Sequence, residues 1–249
     1  MATPILRQMG DLLAAKAELP RDPTVRAGSS EAEQSPVVPG PQVVATPLPT
    51  PGVVSISRKY SEIAGEYRSL FDAANISSDK LNMLEKLAAI LISHKATYVQ
   101  LEQQLGIPWH FTGLLHCMES NFNFGTHLHN GDSLMHRTKR VPVGRPNSNV
   151  GDPPFSWLTS AADALTMMNF HIQTDWSLTA QLFRLEQYNG FGYRFRGIAS
   201  PYLWSFSDRY VKGKFVADGR FDGDVVSKQC GAAVLLKNLK KNGQVQLNF

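Results

Sequence analysis

Apolar residues recur at helical spacing over most of the chain from Ser57 onward. Tyr60, Ile63, Ala64, Tyr67, Leu70 and Phe71 form a stripe that predicts a helix over 58–73. The run ISSDKLNMLEKLAAILISHKATYVQLEQQLG predicts one helix to about His94 and a second to Leu105, with Gly106 as its C-cap. Pro108 opens a further helix at the first turn, where a missing N–H does no harm, and Phe111, Leu114, Leu115 and Met118 are its buried stripe. Ser160 is the expected N-cap of the helix in SAADALTMMNFHI, with Asp163 three residues on. Leu178, Leu182 and Leu185 share a face of the next helix, which ends at Gly190. A last helix is expected over 224–240, starting at Asp224 and carrying Val225, Val226, Cys230, Ala233, Val234 and Leu236. Segments 122–157 and 191–222 are turn-rich and read as β-ribbons. The expected class is mainly α, in the α+β sense, with small β-hairpins.

The first fifth of the chain differs. Ile5, Leu6, Met9, Leu12 and Leu13 predict a short helix within 1–19. Residues 20–56 hold eight of the fifteen prolines, with Gly and Ser between them, and read as a disordered linker before a domain over 57–249. The N-terminus contains Asp11 and lacks a continuous apolar core and a cleavage site, so no secretory signal is read there. No run of about 18 apolar residues occurs, so no stable membrane insertion is expected. The net charge is +4. Residues 1–57 hold four Lys/Arg and five Asp/Glu, leaving 21 against 16, or +5, in the remainder. A mildly basic body suits a polyanionic partner such as nucleic acid, anionic lipid or bacterial cell wall. Only Lys237, Lys240 and Lys241 bunch, near a helix end where cations suit the dipole anyway. Cys117 and Cys230 are far apart, outside any CxxC, and read as reduced and buried. Nucleotide-binding glycine loops and the GxSxG elbow are absent.

The chemistry concentrates in HCMESNFNFGTHLHNGDSLMHRT, residues 116–138. Glu119 lies four residues after Leu115 and eight after Phe111, on the edge of the buried stripe and near the helix C-terminus. Desolvation and the helix dipole both push a carboxyl pKa upward there. A carboxylic acid still protonated near neutral pH suits general-acid cleavage of a glycosidic bond. Asn130-Gly131 is a turn signal; Asp132 follows it directly and Thr138 comes six residues later.

A helix-terminal Glu followed by a ribbon with Asp and Thr resembles the active-site arrangement of the lysozyme-like superfamily, and of phage muramidases in the D-x5-T spacing. Twelve residues separate Glu119 from Asp132, more than in those enzymes, so the ribbon here is longer or bent. LEQYNGFGYR resembles the Tyr-Asn helix end that lines the sugar groove of lytic transglycosylases and goose-type lysozymes, with Tyr188 and Asn189 at the matching positions. Residues 57–249, with HLHNGD and FVADGRFD, also resemble phage and bacterial endolysin-like proteins; the linker has no counterpart there. The resemblance implies a lysozyme-like helical domain whose hairpins line a cleft. It implies hydrolysis of peptidoglycan glycan strands by an N-acetylmuramidase, with Glu119 as acid, Asp132 as stabiliser or base, and Thr138 placing water. Tyr188 and Asn189 would bind sugar, with His127, His129 and Tyr193 as further substrate contacts. Trp109, Trp157, Trp176, Tyr202, Trp204 and Tyr210 add to the aromatic supply, and 200–224, with Lys212 and Lys214, is the expected far wall of the cleft.

Three alternatives stay open. A lytic transglycosylase needs only Glu119. A zinc-dependent cell-wall peptidase or amidase would use His116, His127 and His129 with Glu119 and Asp132, although there is no HExxH and His94, His110 and His171 stand apart. A non-catalytic wall-binding module is the third. The expected partner is peptidoglycan and not nucleic acid, the expected state a monomer, and no metal or cofactor is expected. The protein would be made in the cytoplasm, phage- or bacterium-encoded, and act on the wall after release or in a virion.

Overall fold

Every residue from Trp109 to Glu119 is buried, and three other helices pack closely on this one. The structure is a computed structural model that describes residues 53–217 and 219–248. The expected helix over 1–19, the linker up to residue 52, and Asp218 and Phe249 lie outside the described residues. Among those described, the helices are α1 (Tyr60–Ala73), α2 (Leu81–Ser93), α3 (Lys95–Leu105), α4 (Trp109–Ser120), α5 (Trp157–Met167), α6 (Leu178–Asn189), α7 (Pro201–Trp204) and α8 (Ala232–Lys241). The one two-stranded sheet among them pairs β1 (Lys214–Ala217) antiparallel with β2 (Arg220–Asp222). The class is mainly α.

The sequence explains the central place of α4. Its apolar residues are not confined to one stripe, and a helix that is apolar nearly all round belongs in a core. Helices α2, α3 and α8 pack on it. Phe111, Leu114 and Leu115 are fully buried, each stabilising the fold by roughly 1.5–3 kcal/mol. Gly113 lets α2 and α3 come close, since a Cβ there would sit 3.0 Å from Leu91 Cγ and 3.1 Å from Tyr98 Cε2. Two of its interior polar groups are matched by partners on other helices: His110 Nε2 meets Gln181 Oε1 at 2.9 Å, and His116 Nδ1 meets the Tyr98 hydroxyl at 3.0 Å. Such matching is what makes burial of polar groups tolerable.

Several expectations need correction. Residues 53–55 belong to the folded body: Val54 is buried, its N–H donates to Gly197 O, and Arg194 donates to Ser55 O at 3.0 Å. Ser156, not Ser160, caps α5, accepting from Thr159 N at 3.0 Å. The last helix begins at Ala232, eight residues later than expected. Residues 225–231 are instead tied to the chain around α7: Val225 O accepts from Gly213 N, and Ser205 O accepts from Gly231 N. The ribbon expected over 122–157 reduces to one isolated bridge between Thr126 and Ser133. Gly106, at φ 70°, does end α3 in the left-handed region.

Gly231 is the tightest point of this packing. A Cβ there would overlap the Leu203 carbonyl and lie 2.7 Å from Trp204 N, both backbone atoms that cannot swing away. Gly231→Ala is expected to destabilise the protein by about 3 kcal/mol, read as a lower urea midpoint. An unchanged midpoint would contradict this account of the α7–α8 contact.

Candidate active site

Glu119 is the last buried residue of α4. The chain turns away immediately after it, because Asn121 (φ 52°) and Phe122 (φ 63°) are both left-handed. Their N–H groups close on Cys117 O (3.1 Å) and His116 O (3.3 Å), capping the last turn. Left-handed backbone costs a non-glycine residue roughly 1–2 kcal/mol, and here it frees the acid from a continuing helix. Gln229 Nε2 donates to Met118 O at 2.6 Å and satisfies another terminal carbonyl.

The carboxyl itself faces α7. Tyr202 donates its hydroxyl to Glu119 Oε1 at 2.8 Å. Pro201 starts α7 at its first helical position and sets the backbone that aims this phenol. Glu119 is only 9% exposed. Burial pushes its pKa up to about 8, and the Tyr202 hydrogen bond, which favours the carboxylate, opposes that only in part. Tyr188, near the end of α6, lies within electrostatic reach of the same carboxyl; its hydroxyl donates to Leu128 O at 2.9 Å. Tyr188 thus ties α6 to the loop that follows α4. Asn189, the last residue of α6, is half-buried.

Four of the other candidates, Asp132, Thr138, His127 and His129, belong to that loop. Asp132 is ringed by donors: Lys139 N (2.9 Å), Arg140 N (3.0 Å) and Asn130 Nδ2 (3.1 Å) on Oδ2, and Arg140 Nε (2.6 Å) on Oδ1. Burial pushes its carboxyl up, but the Arg140 backbone and guanidinium and the Lys139 N–H outweigh this, leaving it below the usual range. Such a carboxylate fixes a loop; as a base or nucleophile it would have to break these bonds. The Thr138 hydroxyl donates to Pro142 O and accepts from Arg145 N at 2.9 Å, so it too is committed to the loop. His127 uses both nitrogens, Nδ1 with Ser160 Oγ and Nε2 with His136 O, each at 2.7 Å. His129 Nε2 meets Asp163 Oδ2 at 2.8 Å, and Arg145 clamps the same carboxylate through Nε (2.8 Å) and NH2 (2.6 Å). Tyr193 packs edge-on against Phe215, and its hydroxyl accepts from Phe215 N. His127 and His129 are thus hydrogen-bonded to α5 and to their own loop, and Tyr193 to β1.

The zinc ligand set is not assembled. His116 is caged by Trp157, Phe124 and Phe122 and bonds Tyr98. Burial holds its pKa down near 4. His127 has no nitrogen to offer an ion. Among the described residues no group of three His, Cys, Asp or Glu is placed to hold a metal. Cys117 and Cys230 are buried free thiols. Sequence reading missed Tyr202 as the partner of Glu119: it lies 83 positions away, and nothing local marks it among the other aromatics.

If the Tyr202 hydrogen bond stabilises the ionised acid, Tyr202→Phe moves the Glu119 pKa further up. Titration of the Glu119 side-chain carbon by 13C NMR should give a midpoint near 8 in the parent protein and a higher one in the variant; a lower one would contradict the geometry. No family model matches this chain, and neither the curated proteins nor the solved structures include a match, so the site is read from its own residues.

Proposed function

We propose that this chain cleaves the glycan strands of bacterial peptidoglycan, with Glu119 as the general acid. One observation carries the reading: a carboxyl group at the end of a buried helix, kept protonated to about pH 8 by burial, with a phenol on one oxygen. General acids work best with a pKa near the working pH. Glu119 gives its proton to the glycosidic oxygen as the C–O bond breaks, and the bonding pair leaves with that oxygen. The sugar left behind carries oxocarbenium-like positive charge, and the new Glu119 carboxylate keeps the Tyr202 hydrogen bond. The carboxylate then takes a proton from the attacking group, either water or a hydroxyl of the same sugar, and is restored. The lysozyme-like scaffold, the muramidase cleavage position, sugar binding by Tyr188 and Asn189, and action on the wall as a monomer belong to the same proposal.

A second form is favoured by a specific observation. Two-carboxylate glycosidases need a second carboxylate free to act, about 5–9.5 Å from the first. Asp132 holds four hydrogen bonds from its own loop. That favours the single-acid route, a lytic transglycosylase, over an Asp132-assisted muramidase.

Mass spectrometry of digested sacculi distinguishes the outcomes. Anhydro-muramic ends are the expected product of the single-acid route and reducing ends that of the hydrolase. Glu119→Gln should lower either activity by about 10²–10⁴-fold. Undigested glycan, cleaved peptide stems, or full activity in Glu119→Gln would remove the proposal.

A further inference from the structure

Three histidines fasten α5 to the body of the molecule. His116 of α4 packs on Trp157, with ring centroids 4.3 Å apart. His127 of the α4–α5 loop meets Ser160 Oγ at 2.7 Å, and His129 of the same loop meets Asp163 Oδ2 at 2.8 Å. Their partners fall every three residues along α5, on one flank of the helix. All three rings are buried. The proposed glycan chemistry uses none of them.

These contacts are built for neutral rings. The His136 carbonyl can only accept, so His127 carries its proton on Nε2 and takes the Ser160 hydroxyl on Nδ1. Asp163 accepts from His129 Nε2–H, which leaves Nδ1 bare, and that nitrogen is sealed without a partner. His116 is bonded to Tyr98 at Nδ1, and its Nε2 is likewise sealed, inside a cage of Trp157, Phe124 and Phe122. With both nitrogens protonated, His116 and His129 would each place a charge and an N–H without an acceptor in the interior, which is costly.

Neighbouring charges do not offset this. His129 faces Asp163, Arg145 and His127, but Arg145 already neutralises Asp163 through two hydrogen bonds. His127 faces Asp163 and Asp132, and Asp132 is matched by the Arg140 guanidinium. His116 faces Tyr98 and His94, neither of them an anion at neutral pH. Burial accordingly keeps all three below the ordinary histidine value, His116 near 4.

We propose that this row of histidines is a pH-sensitive latch, which holds α5 and residues 121–156 in place while the rings are neutral and releases them as the rings take up protons. Sealed nitrogens are reached only when the segment opens locally, so acid draws the latch toward its open form. Because the folded values lie below the free value of 6.5, the latch is fully engaged above that pH and is lost as pH falls from there toward about 4. The inference does not depend on the glycan reading.

Hydrogen–deuterium exchange of the whole chain at pH 7 and pH 4.5, corrected for the pH dependence of the intrinsic rates, tests it. On acidification the opening constant of amides over 121–167 should rise at least about tenfold more than those of α1 and α8. His127→Gln/His129→Gln keeps an amide N–H for His136 O and for Asp163 but takes up no proton. It should match the parent at pH 7 and show a smaller rise at pH 4.5. In the parent, the ring Cε1–H resonances of the three histidines should titrate below 6.5. Equal rises in all elements, a rise unchanged in the double variant, or ring midpoints above 6.5 would overturn the latch.

Discussion

A carboxyl group that must shed water to take its place in the fold sets the terms for the rest of the site. Glu119 ends up buried because α4 has no solvent face to offer it: α2, α3 and α8 pack round the helix. The hydrogen bond from Tyr202 is too little to keep it charged at neutral pH. Burial thus works as a proton trap, and the two left-handed residues after Ser120 keep the chain from running on past the acid. Where a carboxylate would be stabilised by donors, as at Asp132, the pKa moves the other way. Two acids in one short stretch are therefore driven in opposite directions by their surroundings, which is the physical basis for giving them different roles.

The loop between α4 and α5 has little secondary structure but is densely hydrogen-bonded. Asp132 gathers the 139–140 backbone, Thr138 gathers 142 and 145, and Asp163 of α5 receives His129 and Arg145. His127 joins the same loop to α5 through Ser160. Side-chain acceptors replace the ladder of a β-ribbon, and Asp132, Thr138, His127 and His129 hold the loop. Tyr188 adds the link from α6 to Leu128. Glu119 is thus bonded by Tyr202 of α7, and Tyr188, within electrostatic reach of the acid, is anchored to the loop.

Local pattern carried the helices well. The stripes over 60–71, 111–118 and 178–185 all lie in helices, and Gly106 marks a left-handed end. Errors arose where long-range contacts decided. Ser160 has a capping-box partner three residues on, yet its hydroxyl serves His127 from inside α5 while Ser156 caps. Val225 and Val226 continue a helical pattern, but Gly231 must lie against the Leu203 carbonyl, and the helix starts only after it. For the site, the helical phase of Glu119 predicted its burial and the direction of its pKa. Phase cannot reveal Tyr202, which reaches Glu119 only when a segment 83 residues away folds back, nor the Asp132 and Arg145 clamps, which form in irregular backbone where no helical phase applies.

The central claim is that Glu119 takes up a proton on folding at neutral pH, and proton linkage tests it directly. A carboxyl whose folded pKa is about 8 binds its proton more tightly in the native than in the unfolded chain. It then adds no penalty below the unfolded value near 4.5, and a growing one as pH rises from there to about 8. Urea unfolding of the parent and Glu119→Gln should give equal stabilities at pH 4. The variant should become the more stable by on the order of 3 kcal/mol at pH 7, with the gap levelling off above pH 8. A gap that stays constant between pH 4.5 and 8 would mean that Glu119 titrates as an ordinary carboxylate, and the proton trap would not exist.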